Sequence, residues 1–169
     1  MSVGTIVVLA FFAFVGITIF KGVRIVPQGY KWIVQRLGKY HTTLAPGLNF
    51  VIPYVDEVAY KITTKDIVLD IPSQEVISRD NAVLLMNAVA YINLTTPEKA
   101  VYGIENYIWA IQNLVQTSLR SIVGEMDLDD ALSSRDHIKA KLKAAISEDI
   151  SDWGITLKTV EIQDIKPSN

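Results

Sequence analysis

The chain has 169 residues, a formal net charge of −2 and a hydrophobic share of 50%, so it holds one domain or two small ones. It contains no cysteine, which excludes disulfides, cysteine-based metal sites, thiol nucleophiles and S-palmitoylation. A neutral-to-acidic balance, with the few aromatics on apolar stripes, argues against nucleic-acid binding.

The hydrophobic excess is concentrated at the start. Ser2 to Phe20 carries no charge, and nineteen residues at about 1.5 Å each span roughly 28 Å, close to a bilayer's hydrocarbon core. Val7, Leu9, Phe11, Phe12, Phe14 and Ile17 are the candidate anchor side chains. No Lys or Arg precedes the run, unlike a cleavable signal peptide, and no polar face appears, unlike a buried core helix. A retained transmembrane helix over 1–23 is expected. Lys21, Arg24, Lys31, Arg36 and Lys39 follow within residues 21–40 without an acid. That bias predicts the N-terminus outside and the following domain in the cytoplasm.

Val26-Pro27-Gln28-Gly29-Tyr30 reads as a turn, and Tyr30 to Leu37 alternates as a strand that Gly38-Lys39-Tyr40 ends. Thr42 to Val55 runs fourteen residues without a charge, but Pro46, Gly47 and Pro53 forbid a continuous helix. Too short to span, it is either buried in the fold or dips into the membrane interface. In the interfacial placement Leu48, Phe50, Val51, Ile52 and Tyr54 are the candidate contacts, with Lys39 and Asp56 at the water boundary. In the buried placement Phe50 packs under a sheet.

Val58 to Ile71 reads as one or two strands with Ile67, Leu69 and Ile71 on one face, and Pro72 limits pairing there. Two β-rich runs around Asp80-Asn81 predict a hairpin, whose second arm turns Leu84, Met86, Ala88, Ala90, Ile92 and Leu94 inward. From Thr95 the period becomes helical. Thr96 with Pro97 predicts a short helix ending at Gly103, and a longer one follows from Asn106 to Val123 with Ile108, Ile111, Leu114, Val115, Leu119 and Ile122 as its stripe. Asp127 is expected to cap one helical turn, and Ser133, with Asp136, to cap the last helix. There Ile138, Leu142, Ala145, Ile146, Ile150 and Trp153 recur, Gly154 stops the helix, and Ile155 to Ile165 closes with a strand. The fold class is α+β, with a β-rich subdomain over 24–95 and an α/β subdomain over 96–169.

Catalytic patterns are missing. There is no Gly-rich phosphate loop, no Gly-x-Ser-x-Gly and no His-Glu-x-x-His, and the two histidines, His41 and His137, are far apart. Asp127, Asp129 and Asp130 lack the glycine and terminal glutamate of a calcium loop. No catalytic, cofactor or metal residue is assigned. A non-enzymatic chain is expected, against the alternative of a membrane-tethered hydrolase or ligand-binding domain acting as a monomer or dimer.

Several ordered stretches over residues 24–167 carry a specific resemblance. They are Ile25-Val26-Pro27-Gln28-Gly29-Tyr30, Arg36-Leu37-Gly38-Lys39-Tyr40, Pro46-Gly47-Leu48-Asn49-Phe50-Val51-Ile52-Pro53, Ile71-Pro72-Ser73-Gln74-Glu75-Val76-Ile77-Ser78-Arg79-Asp80-Asn81, Leu119-Arg120-Ser121-Ile122-Val123-Gly124 and Trp153-Gly154-Ile155. The chain resembles the stomatin/prohibitin/flotillin/HflK-HflC (SPFH, band 7) family, with its bacterial stomatin-like QmcA branch as the nearest match. The resemblance implies an anchored scaffold in a bacterial inner membrane that forms large homo-oligomeric rings or cages around a lipid microdomain. It implies membrane lipids, FtsH-type AAA proteases and NfeD-type membrane proteins as partners, a role in membrane protein quality control, and no cofactor. Family members usually continue into a coiled-coil helix where this sequence stops, so the resemblance implies either a piece of a longer chain or a member that lacks the part closing the cage.

Overall fold

The computed structural model describes residues 2–168, and the chain divides into two units, Met1–Thr64 and Lys65–Asn169. The first unit opens with helix α1 (Val3–Gly22), which passes straight into strand β1 (Val23–Val26). Then come β2 (Tyr30–Arg36), β3 (Lys39–Leu44), β4 (Gly47–Phe50) and β5 (Asp56–Thr63). β1 and β4 form a two-stranded antiparallel ribbon, and β3-β2-β5 form a three-stranded sheet. Val26, Val34, Leu44 and Val51 make the buried core of this unit, with Trp32 and Val58 packed against it.

Three of these strands were not expected. β1 lies between the expected anchor and the turn at 26–30, β3 follows where a strand was expected to end, and β4 falls in the uncharged 42–55 stretch. The β2–β3 connection is a two-residue loop in which Leu37 (φ 52°) and Gly38 (φ 82°) both adopt the left-handed conformation. That geometry matches strand twist, but leucine is a rare occupant and gives no turn signal.

The second unit contains β6 (Ile67–Ile77), β7 (Val83–Leu94), α2 (Pro97–Gly103), α3 (Tyr107–Gly124), α4 (Leu128–Ser133), α5 (Arg135–Asp152) and β8 (Ile155–Pro167). Its sheet has the order β6-β7-β8, with both pairs antiparallel. The unit boundary therefore lies at Thr64/Lys65, well before the expected junction at 95/96. The physical reason is pairing: the β6–β7 hairpin takes the final strand β8 as its third member, so it belongs with the helices that follow it. The Val58–Ile71 stretch splits into two strands on either side of this boundary.

The inner face of β7 is as read: Leu84, Met86, Ala88, Ala90, Ile92 and Leu94 are all buried. The register shifts between Ile71 and Gln74, where Pro72 cannot donate to the ladder. α3 lies against β6 and α5, and α5 lies against β8. α3 buries Ile111, Val115, Leu119, Ile122 and Val123, whereas Ile108 stays outside. α5 buries Ile138, Leu142, Ile146 and Ile150 at a strict four-residue interval, while Ala145 is exposed.

The caps differ in detail from expectation. The Asn106 side chain accepts from the Trp109 amide and caps α3. Asp127 makes no cap bond, because its carboxylate is paired with Arg79. Its place before α4 is taken by Asp80, which accepts from the Leu128 amide. Ser133 bonds back to the Asp129 carbonyl, so Ser134 is the residue before α5, without a side-chain cap. Gly154, at φ 71°, is required: a Cβ there would lie 2.4 Å from the Thr96 carbonyl oxygen.

Candidate membrane-facing site

α1 is long and apolar enough to cross a membrane, at 20 residues and a mean hydropathy of 2.6. Val7, Leu9, Phe11, Phe12, Phe14 and Ile17 all lie exposed on it, so the apolar surface encircles the helix. Among the described residues, none of the apolar window of α1 is buried. In water this would leave a large apolar area hydrated, which folded soluble domains avoid.

The helix end and the ribbon are locked together. The Val51 amide donates to the Gly22 carbonyl at 2.8 Å. A Cβ on Gly22 would sit 2.7 Å from the Val51 carbonyl oxygen, so only glycine permits this approach. The Tyr54 ring stands 5.7 Å from the Lys21 Nζ. Val51, Pro53 and Tyr54 are thus all held close to the last turn of α1.

Pairing then sorts the side chains. Ile25 faces Leu48 across the ribbon and Val23 faces Phe50, which puts these four on one side. Ile25 is 70% exposed, Leu48 65% and Phe50 67%. Ile52 and Tyr54 are also exposed, and Phe20 continues the same apolar surface onto the helix. The buried placement of Phe50 is thus overturned. Val51 is corrected the other way: named as an interfacial contact, it is buried in the core with Val26, Val34 and Leu44. Strand alternation explains this, because Val51 follows Phe50 and turns to the opposite side. Sequence reasoning did not place Ile25 on this apolar side. The β-formers at 23–26 were the available signal, hidden by the Pro27-Gln28-Gly29 turn that follows.

Asp56 fixes the loop that carries Ile52 and Tyr54. Its carboxylate accepts from Arg36 Nε at 2.6 Å and Nη2 at 3.0 Å, and from the Ile52 amide at 2.9 Å. Its own amide donates to the Ile52 carbonyl. The Arg36 guanidinium holds the Asp56 carboxyl down to about 2 from 3.8, helped by the Ile52 amide and opposed by desolvation. Lys39 is exposed, whereas the Asp56 side chain is only 2% exposed. Tyr54 sits at φ 71°, a conformation costly for an aromatic residue and sustained here by this closed loop.

The Lys61 Nζ stands 4.5 Å over the Trp32 ring. A cleft of about 450 Å³ opens at the helix–strand junction, lined by Phe20, Lys21, Val23, Arg24, Ile25 and Trp32. Among the described residues no group of three or more His, Cys, Asp or Glu side chains is placed to hold a metal. His41 and His137 are both exposed, in different units.

Residues 24–169 match the SPFH domain / Band 7 family. An uncharacterised protein of Methanocaldococcus jannaschii is 40% identical over 149 residues, covering 88% of this chain and 74% of that protein. Human stomatin-like protein 2, mitochondrial, is 38% identical over 143 residues, 85% of this chain and 40% of that protein. An uncharacterised protein of Mycobacterium tuberculosis is 37% identical over 160 residues, 95% of this chain and 42% of its own length. The chain thus spans about two-fifths of the human and mycobacterial relatives. With the family match extending from the first ribbon strand through the last strand of the second sheet, this chain belongs to the SPFH domain / Band 7 family.

Proposed function

We propose that the chain is the membrane-anchored, membrane-proximal part of a scaffold that assembles with copies of itself into a ring or cage around a patch of bilayer. The observation that carries this reading is the direct passage of α1 into β1, with Val51 clamped on Gly22. With α1 across the bilayer, no linker separates membrane from domain, and the exposed Ile25, Leu48, Phe50, Ile52 and Tyr54 fall at headgroup depth. Family membership supports a membrane scaffold in general, and the bases at Lys21, Arg24, Lys31, Arg36 and Lys39 support a cytoplasmic domain in a bacterial inner membrane. A stomatin-like role of QmcA type, with FtsH-type protease and NfeD-type membrane partners in protein quality control, belongs to the same proposal. So does the non-enzymatic character.

Light scattering on the full chain in mild detergent tests the assembly. A particle of many copies is expected. A monodisperse monomer or dimer would contradict the scaffold and favour a tethered binding domain. Protease added outside spheroplasts tests the orientation: the domain should survive, and digestion with cytoplasmic markers intact would reverse it.

A further inference from the structure

We propose that the cleft at the α1–β1 junction is a binding site for one anionic phospholipid, its phosphate held between Lys21 and Arg24 and an acyl chain lying along Phe20. The proposal rests on α1 spanning the bilayer and goes beyond it by naming the lipid class and the residues. The cleft's lining divides by chemistry. Phe20, Val23 and Ile25 supply an apolar wall at the helix end, Lys21 and Arg24 supply two positive charges, and the half-buried Trp32 supplies the amphipathic ring favoured at headgroup level.

The charges are available. Neither Lys21 nor Arg24 makes an ion pair among the described residues, and Lys21 is engaged only by the Tyr54 ring. Of the nearby acids, Asp56 is committed to Arg36, while Glu57 lines an adjoining cleft that shares Arg24 and Trp32 with this one. Two unpaired bases beside an apolar wall, at the end of a helix as long as the hydrocarbon core is thick, complement a molecule with a phosphate above and hydrocarbon below. A soluble anion would leave the apolar wall unused, and a zwitterionic lipid would set its own cation against Lys21 and Arg24.

The test uses the full chain in detergent micelles, titrated with phosphatidylglycerol or with phosphatidylcholine of the same acyl chains, with bound lipid counted by native mass spectrometry. Phosphatidylglycerol should bind about thirtyfold more tightly, as two adjacent bases imply. Lys21→Ala with Arg24→Ala should reduce it to the phosphatidylcholine level, while Lys39→Ala with Lys158→Ala should leave it unchanged. Equal affinities for the two lipids, or a preference that survives loss of Lys21 and Arg24, would overturn the proposal. Glycerol phosphate is the arm for a free anion: failure to displace the lipid supports the assignment, and displacement at equal concentration overturns it. Carbonate extraction separates the two claims. A lipid preference that is absent while the protein stays in the pellet counts against the cleft alone, whereas release of the unmodified chain into the supernatant counts against the span.

Discussion

The two units treat their apolar residues in opposite ways. In the second, the stripes of α3 and α5 and the inner face of β7 are buried in the unit's core, while the other face of β7 mixes Asn87, Tyr91 and Asn93 with Val83, Leu85 and Val89. In the first, α1 is apolar all round and the ribbon turns Ile25, Leu48 and Phe50 outward, leaving a small core of Val26, Val34, Leu44 and Val51. The second unit closes a large core of its own, with Val68, Ile77 and Trp109 left exposed outside it. The first leaves α1 and one side of its ribbon exposed, and under the proposed span the Val51–Gly22 hydrogen bond marks the edge of the bilayer's hydrocarbon core.

The sharpest way to break this comparison is to put a charge in each kind of apolar position. Ile146 is fully buried in α5, so Ile146→Asp should cost the second unit about 4 kcal/mol or more and abolish its cooperative unfolding transition. A stable Ile146→Asp protein would mean that the helix–sheet core is not closed. Next in size is Gly154→Ala, which places a Cβ against Thr96 at a positive φ. It should lower stability by about 2 kcal/mol or more, read as a fall in urea midpoint.

Smaller is the Arg36–Asp56 contribution in the first unit. Asp56 titrates lower in the folded chain than in the unfolded one, so its stabilisation is complete above about pH 4 and is lost as pH falls toward about 2. Asp80 and Glu161 in the second unit are shifted the same way, so the effect is read as a difference from Asp56→Asn. That variant should be less stable at pH 5 and converge with the parent near pH 2; parallel curves would show that the pair contributes nothing. Smallest of all is the stability effect of Phe50→Asp, expected within about 0.5 kcal/mol because Phe50 is exposed. Its consequence should appear instead as lost insertion of the ribbon, and a large fall in melting temperature would return Phe50 to a core.

The second unit was legible because periodicity and burial agree there. The four-residue spacing of Ile138, Leu142, Ile146 and Ile150 and the two-residue spacing of Leu84 to Leu94 each name a buried face. The caps were less legible, since Asp80 reaches α4 from a hairpin 48 residues away and frees Asp127 for Arg79. The first unit was legible only in outline. The uncharged Thr42–Val55 stretch signalled an apolar role, but its residues divide between two sides of a ribbon whose other strand, β1, was hidden beside a turn. Only the register with Val23 to Val26 shows that Phe50 points out and that Val51 points in.

Because the chain has no cysteine, a single cysteine at any position reports without background. A nitroxide on Phe50→Cys, in the full chain reconstituted into bilayers, tests the central claim most directly, with Leu132→Cys as the exposed reference in the second unit. The account predicts that the label at 50 collides readily with oxygen and poorly with an aqueous nickel chelate, while the label at 132 does the reverse. A label at 50 as open to the chelate as the one at 132 would place the ribbon in water and contradict the account.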